Sequence, residues 1–125
     1  MGKLVFFVDD DKMILNLLEY TLKNRQDYDV KTFLTGEECI ENLELKPDLI
    51  VLDHIFKSNG ALRKNGLEIL KEIKHYNKKL PVIILTGYED QKLADEFISS
   101  GATKFIPKND YFIDALMETI EKQIF

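Results

Sequence analysis

Residues 48–53 read Asp48-Leu49-Ile50-Val51-Leu52-Asp53. Four aliphatic residues in a row are too few for a typical helix. The β-branched Ile50 and Val51, with Pro47 just upstream, favour a strand buried on both faces. Such a strand cannot bury a carboxylate at low cost, so Asp53 belongs where the strand leaves the core. In open parallel sheets the carboxyl ends of the strands are where ligands bind. Asp53 is therefore the first candidate for a working residue.

The same pattern recurs along the chain. Leu4 to Val8 is an unbroken apolar run that stops at Asp9-Asp10-Asp11. Val30 to Phe33 reads as a short second strand. Pro81 introduces Val82-Ile83-Ile84-Leu85-Thr86, and Lys104-Phe105-Ile106 is a brief fifth strand ending at Pro107-Lys108. Helical spacing fills the intervals. From Lys12 to about Asn24 the inward stripe is Ile14, Leu17, Leu18 and Thr21, with an Asp of the 9–11 group, Asp11 above all, as cap. Thr35-Gly36 opens a helix through about Leu45, closed by Lys46-Pro47. Turn formers crowd residues 57–66, after which Leu67, Leu70, Ile73 and Lys74 share one side of a helix. Asp90 to Ser100 carries Leu93, Phe97 and Ile98 inward and stops at Gly101. Asp110 caps a last helix whose Phe112, Leu116, Ile120 and Ile124 face the core. Five strands alternating with five helices predict an α/β fold, a parallel sheet with helices on both faces. Right-handed crossovers bring every strand's carboxyl end to one edge. Asp9, Asp10, Asp53, Thr86 and Lys108 arrive there together.

Composition narrows the function classes. A chain of 125 residues is long enough for one domain with a sizeable core, here residues 1–125. A net charge of -5, with no basic run, argues against a nucleic-acid-binding surface. No run of about 18 apolar residues offers a membrane span, and the N-terminus is no signal peptide. The lone Cys39 cannot form an internal disulfide and reads as buried apolar filler. A cytoplasmic location follows. His54 and His75 stand far apart without a further ligand, so they make no metal site.

Three carboxylates gathered without a cation repel, and some would have to take up protons. A hard divalent ion resolves this: Mg²⁺ takes oxygen ligands in an octahedron at about 2.0–2.1 Å and keeps waters. Asp9, Asp10 and Asp53 are the right ligand type. Lys108 compensates residual negative charge, and Thr86 offers a hydroxyl to an incoming anionic oxygen. Together they describe a phosphoryl-transfer site in which Asp53 attacks phosphorus and becomes an aspartyl phosphate. The new oxygens then draw the Thr86 hydroxyl, a local change that a neighbouring surface can report.

Val8-Asp9-Asp10-Asp11, Asp48 to Asp53, Leu85-Thr86-Gly87 and Gly101-Ala102-Thr103-Lys104-Phe105-Ile106-Pro107-Lys108 together resemble the bacterial response-regulator receiver domain. The motifs keep the family's order and nearly its spacing over essentially the whole chain. Each alone is weak; all together are specific. The resemblance implies a doubly wound, flavodoxin-like (βα)5 three-layer sandwich with strand order 2-1-3-4-5. By it, Asp53 matches the phosphoacceptor (4-aspartylphosphate), Asp9 and Asp10 the Mg²⁺-binding acidic pair, and Ile55 the residue that lends the metal a backbone carbonyl. Thr86 matches the switch hydroxyl, Phe105 the switch aromatic, and Lys108 the lysine that pairs with the phosphorylated site. The implied partners are a sensor histidine kinase or phosphotransfer protein upstream and an effector protein or domain downstream. The implied output surface, also a dimer face, is the fourth helix, fifth strand and fifth helix, roughly residues 90–125. Such a domain is no enzyme beyond its own phosphorylation and dephosphorylation.

The chain departs from the family's pattern in three places. Phe56 and Lys57 stand where Met-Pro is usual, and Gly66 lies thirteen residues after Asp53 where eight is usual, which reads as an insertion of about five residues within His54 to Asn65. Pro107 precedes Lys108 and Asn109 follows it, the reverse of the usual Lys-Pro order, so the family's cis peptide is not available there. Two residues past Asp53 and Thr86 stand the bulky, nonacidic Ile55 and Tyr88.

Other readings remain open on sequence alone. Asp9-Asp10-Asp11 could do no more than cap a helix, and Lys108 in isolation would be a solvated lysine. An Asp9-x-Asp11 pair suits a haloacid-dehalogenase-type phosphatase with Asp9 as nucleophile, although Met13 stands where such enzymes want Thr or Val and no later acidic pair ends a strand. A degenerate receiver that only docks a partner is the non-enzymatic alternative. In the family the positions matched by Ile55 and Tyr88 influence how fast water removes the phosphate. The resemblance thus implies that these bulky residues shield it and that intrinsic dephosphorylation is slow. Phosphate release from the purified, labelled protein should be far slower than seconds, and a half-life of seconds would refute the shielding.

Overall fold

The computed structural model describes residues 2–25, 27–53, 66–87 and 91–124. Its elements in order are β1 (Lys3–Val8), α1 (Lys12–Lys23), β2 (Tyr28–Phe33), α2 (Gly36–Glu41), a 3₁₀ turn (Leu43–Leu45), β3 (Leu49–Asp53), α3 (Gly66–Tyr76), β4 (Val82–Thr86), α4 (Gln91–Ser99), β5 (Lys104–Pro107) and α5 (Phe112–Ile124). The strands form one sheet in the order β2-β1-β3-β4-β5, and every pairing is parallel. This is the predicted doubly wound arrangement.

Alternation along the inner strands makes the three layers, because successive side chains of a strand point to opposite faces. Phe6, Val8, Ile50, Leu52, Val82 and Ile84 join the core beneath α2, α3 and α4. Val5, Phe7, Leu49, Val51, Ile83 and Leu85 join the core beneath α1 and α5. All residues of β3 and β4 are buried, as an apolar run covered on both faces should be. Cys39 is wholly buried in the first core, as predicted, and burial pushes its thiol up to about 12.

Several elements differ from the sequence expectation. β2 starts two residues earlier, at Tyr28, because Lys3 and Leu4 of β1 give Tyr28 and Asp29 a parallel partner. As an edge strand it tolerates the polar residues that hid it. The buried stripe of α1 is Leu15, Leu18 and Leu22, with Leu17 exposed. Adjacent leucines left two possible stripes, and Thr21 belongs to the outer one, its hydroxyl donating to the Leu17 carbonyl at 2.8 Å. The helix expected to Leu45 ends at Glu41 and tightens into the 3₁₀ turn, which Lys46 leaves with φ 58°. On α3 the buried residues are Gly66, Ile69, Leu70 and Ile73, so Ile69 rather than Lys74 completes the inner face. On α4 Phe97 is buried but Ile98 is exposed. At the start of α5 the side chain that takes a backbone N–H is Asn109, from Tyr111 at 2.9 Å, and the helix begins at Phe112, a residue later than an Asp110 cap would allow. The Asp11 cap is as predicted: its Oδ1 accepts the Met13 N–H at 2.9 Å.

Gly101 ends α4 with φ 111°, and its N–H donates to the Ile98 carbonyl while the Ala102 N–H donates to that of Phe97. This pair of bonds is the Schellman arrangement, which needs a residue in the left-handed region. A Cβ at Gly101 would also come within 3.1 Å of the Lys74 side chain. Gly101→Ala should therefore lower stability by about 1–2 kcal/mol, read as a lower denaturant midpoint at unchanged m.

Candidate phosphoacceptor site

Sheet register alone sets most of the site. Val8 pairs with Leu52, so Asp9 follows one strand over from Asp53. Asp53 pairs with Leu85, Thr86 with Pro107, and Lys108 is the next residue along. Asp9, Asp53, Thr86 and Lys108 are thus each the last residue of a strand or the first beyond it, and Asp10 follows Asp9. The Asp9 N–H is fixed by the Phe33 carbonyl at 3.1 Å, and the Lys108 N–H by the Thr86 carbonyl at 2.6 Å.

Side chains then converge. The Lys108 Nζ lies 3.0 Å from Asp9 Oδ2 and 3.0 Å from Asp53 Oδ1. Asp9 and Asp53 are each 2% exposed and Thr86 is fully buried, while Asp10 is partly exposed. Asp9 is held from its other oxygen as well, Oδ1 accepting the Asp11 N–H at 2.9 Å. One carboxylate oxygen from each of Asp9, Asp10 and Asp53 lies within 4.8 Å of the other two. Three hard oxygen donors this close, two of them out of water, fit a divalent cation of the Mg²⁺ type.

The electrostatics follow from burial. Desolvation pushes the Asp9 carboxyl above its ordinary value; the Asp11 N–H and the Lys108 charge oppose the rise, and Asp10 adds to it. Burial alone would lower the Lys108 ammonium, but ion pairing with Asp53 and then Asp9 carries it above the usual lysine value. Lys108 therefore stays charged at neutral pH and offsets part of the crowding between the acids.

Asp9, Asp10, Asp53, Thr86 and Lys108 are thus brought to one edge, as expected. Phe105 stands apart on β5, partly buried, its ring centroid 5.9 Å from that of Phe97. Ile55, the insertion within His54 to Asn65, and Tyr88 lie outside the described residues. Two contributors escaped the sequence reading. One is the Asp11 N–H that orients Asp9. The other is Asn109, whose place after a strand-end lysine and before Tyr111 is itself a turn signal.

Residues 5–121 match the family model described as the response regulator receiver domain. The chain belongs to that family. Among curated relatives, this receiver is 36% identical over 92 residues to the alkaline phosphatase synthesis transcriptional regulatory protein PhoP of Bacillus subtilis, covering 73% of this chain and 36% of that protein. It is 34% identical over 122 residues to the DNA-binding transcriptional regulator NtrC of Escherichia coli, covering 97% of this chain and 24% of that one. The chain thus spans about a quarter to a third of these relatives. Among solved structures, the response regulator DrrB of Thermotoga maritima superposes with a TM-score of 0.83 at 30% identity, covering 98% of this chain and 52% of that one. The BeF3-activated DrrB receiver domain gives 0.84 at 30% identity, covering 98% and 97%. As a receiver domain the chain is a signalling module of two-component systems.

Because the folded pKa of Asp9 is raised, its proton stabilises the fold, and that contribution is lost as pH rises through the folded value. Metal-free Asp9→Asn should therefore melt higher than the wild type at neutral pH. The gap should shrink as pH falls and the wild-type carboxyl becomes neutral. Melting curves across pH check this, and a variant less stable at pH 7 would contradict it.

Proposed function

We propose that Asp53 accepts a phosphoryl group from the phosphohistidine of a sensor histidine kinase or phosphotransfer protein. A carboxylate oxygen of Asp53 attacks phosphorus, and the P–N bond of the donor breaks with its electron pair leaving on the imidazole. The observation that carries this reading is the Lys108 ammonium, 3.0 Å from both Asp9 and Asp53. It is placed to follow the negative charge from the carboxylate to the arriving phosphoryl oxygens. Asp9, Asp10 and Asp53 would hold the Mg²⁺, which supplies further neutralisation of that charge. The activation of the related DrrB receiver by BeF3 supports a site that answers to a phosphoryl-like group.

The response would pass through Thr86, buried at the end of β4, toward Phe105 on the next strand. Beside Phe105 runs a groove of about 550 Å³ between α4 and β5, lined also by Ala94, Ile98, Lys104 and Pro107. It makes the α4-β5-α5 face a fitting place for a downstream effector or a second receiver. NtrC is described as DNA-binding, a property of a protein of which this chain spans 24%. A net charge of -5 favours protein partners here. No described helix is long and apolar enough to cross a membrane, which accords with action in the cytoplasm.

The phosphatase reading is disfavoured because the Asp11 carboxylate accepts the Met13 N–H and caps α1 instead of serving as an acid beside Asp9. Incubation with a small acyl phosphate should label the protein only when Mg²⁺ is present, and Asp53→Asn should abolish labelling. Label retained at Asp9 would favour the phosphatase, and no label under any condition would leave only a docking module.

A further inference from the structure

Lys108 has a long stem, and its ammonium reaches two buried carboxylates at once. A lysine side chain has many rotamers, so such a contact depends on how firmly the backbone aims the stem. On its N-terminal side the aim is set by the ladder, the Lys108 N–H donating to the Thr86 carbonyl. On its C-terminal side three bonds of Asn109 hold the chain. The Asn109 N–H donates to the Pro107 carbonyl at 2.9 Å, closing a three-residue turn with Lys108 at its centre. The Asn109 Oδ1 accepts the Tyr111 N–H at 2.9 Å, and its carbonyl accepts the Phe112 N–H at 3.2 Å. Asn109 is exposed, yet its bonds join the lysine-bearing end of β5 to the first turn of α5.

We propose that Asn109 is a positioning residue for phosphoryl acceptance, fixing Lys108 over Asp53 through these three bonds. The inference rests on the reading of Asp53 as the acceptor. A proline after the lysine could not donate to Pro107, so this chain aims its lysine with an amide where a proline would have to use ring geometry. The asparagine side chain supplies what a proline lacks, an oxygen that captures a backbone N–H two residues on. A small misplacement of a charged group suffices to slow a transfer whose barrier depends on electrostatic positioning.

The test is the rate of Mg²⁺-dependent labelling at Asp53 by a small acyl phosphate, with circular dichroism to establish that each variant is folded. Asn109→Ala and Asn109→Pro should each be slower by roughly tenfold, since a displacement of about 1 Å can cost up to a hundredfold. Asn109→Ser, neutral and able to close the side-chain turn more weakly, should recover most of the rate. In a Lys108→Ala background, Asn109→Ala should cause no further slowing, because its effect passes through the lysine. Equal labelling of wild type and Asn109→Ala, or equal slowing by Asn109→Ala with and without Lys108, overturns the inference alone. Wild-type protein that takes no label at Asp53 overturns the acceptor reading and this inference with it.

Discussion

Two carboxylates almost wholly out of water, Asp9 and Asp53, share one ammonium. Burying like charges side by side is costly, and removing their common counter-ion would leave both uncompensated. The fold tolerates them because β1, β3 and β5 end at the same edge, where the cation can approach from the neighbouring loop. That arrangement in turn requires parallel strands, and parallel strands require the helical crossovers that cover both faces. The charge cluster and the three-layer architecture are therefore one problem with one solution. The raised carboxyl value of Asp9 is the residue of that solution, a cost still present when no divalent cation is bound.

What the amino-acid pattern made legible was the part governed by unbroken apolar runs. β1, β3 and β4 were recognisable because burial on both faces leaves no room for polar alternation, and their ends located Asp9, Asp53 and Thr86. The less legible parts had two equivalent solutions or a local one. Leu17 and Leu18 offered α1 two stripes, and only packing against the sheet chose Leu15, Leu18 and Leu22. Ile98 looked inward by spacing, but the inner face of α4 was already satisfied by Phe97, leaving Ile98 to border the groove beside Phe105. Asn109 was visible only as a departure from a familiar order and as a turn former, because which backbone N–H its side chain captures is decided by the local chain path.

The two ends of the lysine-bearing segment also differ in kind. Toward β4 the support is the sheet ladder, which moves only with the sheet. Toward α5 it is a short turn anchored by one exposed side chain, and exposed turns open at lower free energy than strand ladders. The lysine thus stands at the boundary between the sheet and the turn that leads into α5. On the proposed reading, a signal received at Asp53 and read along β5 and α5 would have to cross that boundary.

Register has a further consequence for how the chain can vary in length. A one-residue slip within a strand turns every following side chain to the opposite face. Inserting a residue into β4 or β5 would therefore swap the two cores and carry Thr86 or Lys108 away from the acids. The additional residues expected between Asp53 and Gly66 from the resemblance would fall after β3 has delivered its carboxylate and before α3 begins. The edge where the acids meet would thus also be the line along which this domain can gain or lose sequence without losing its place.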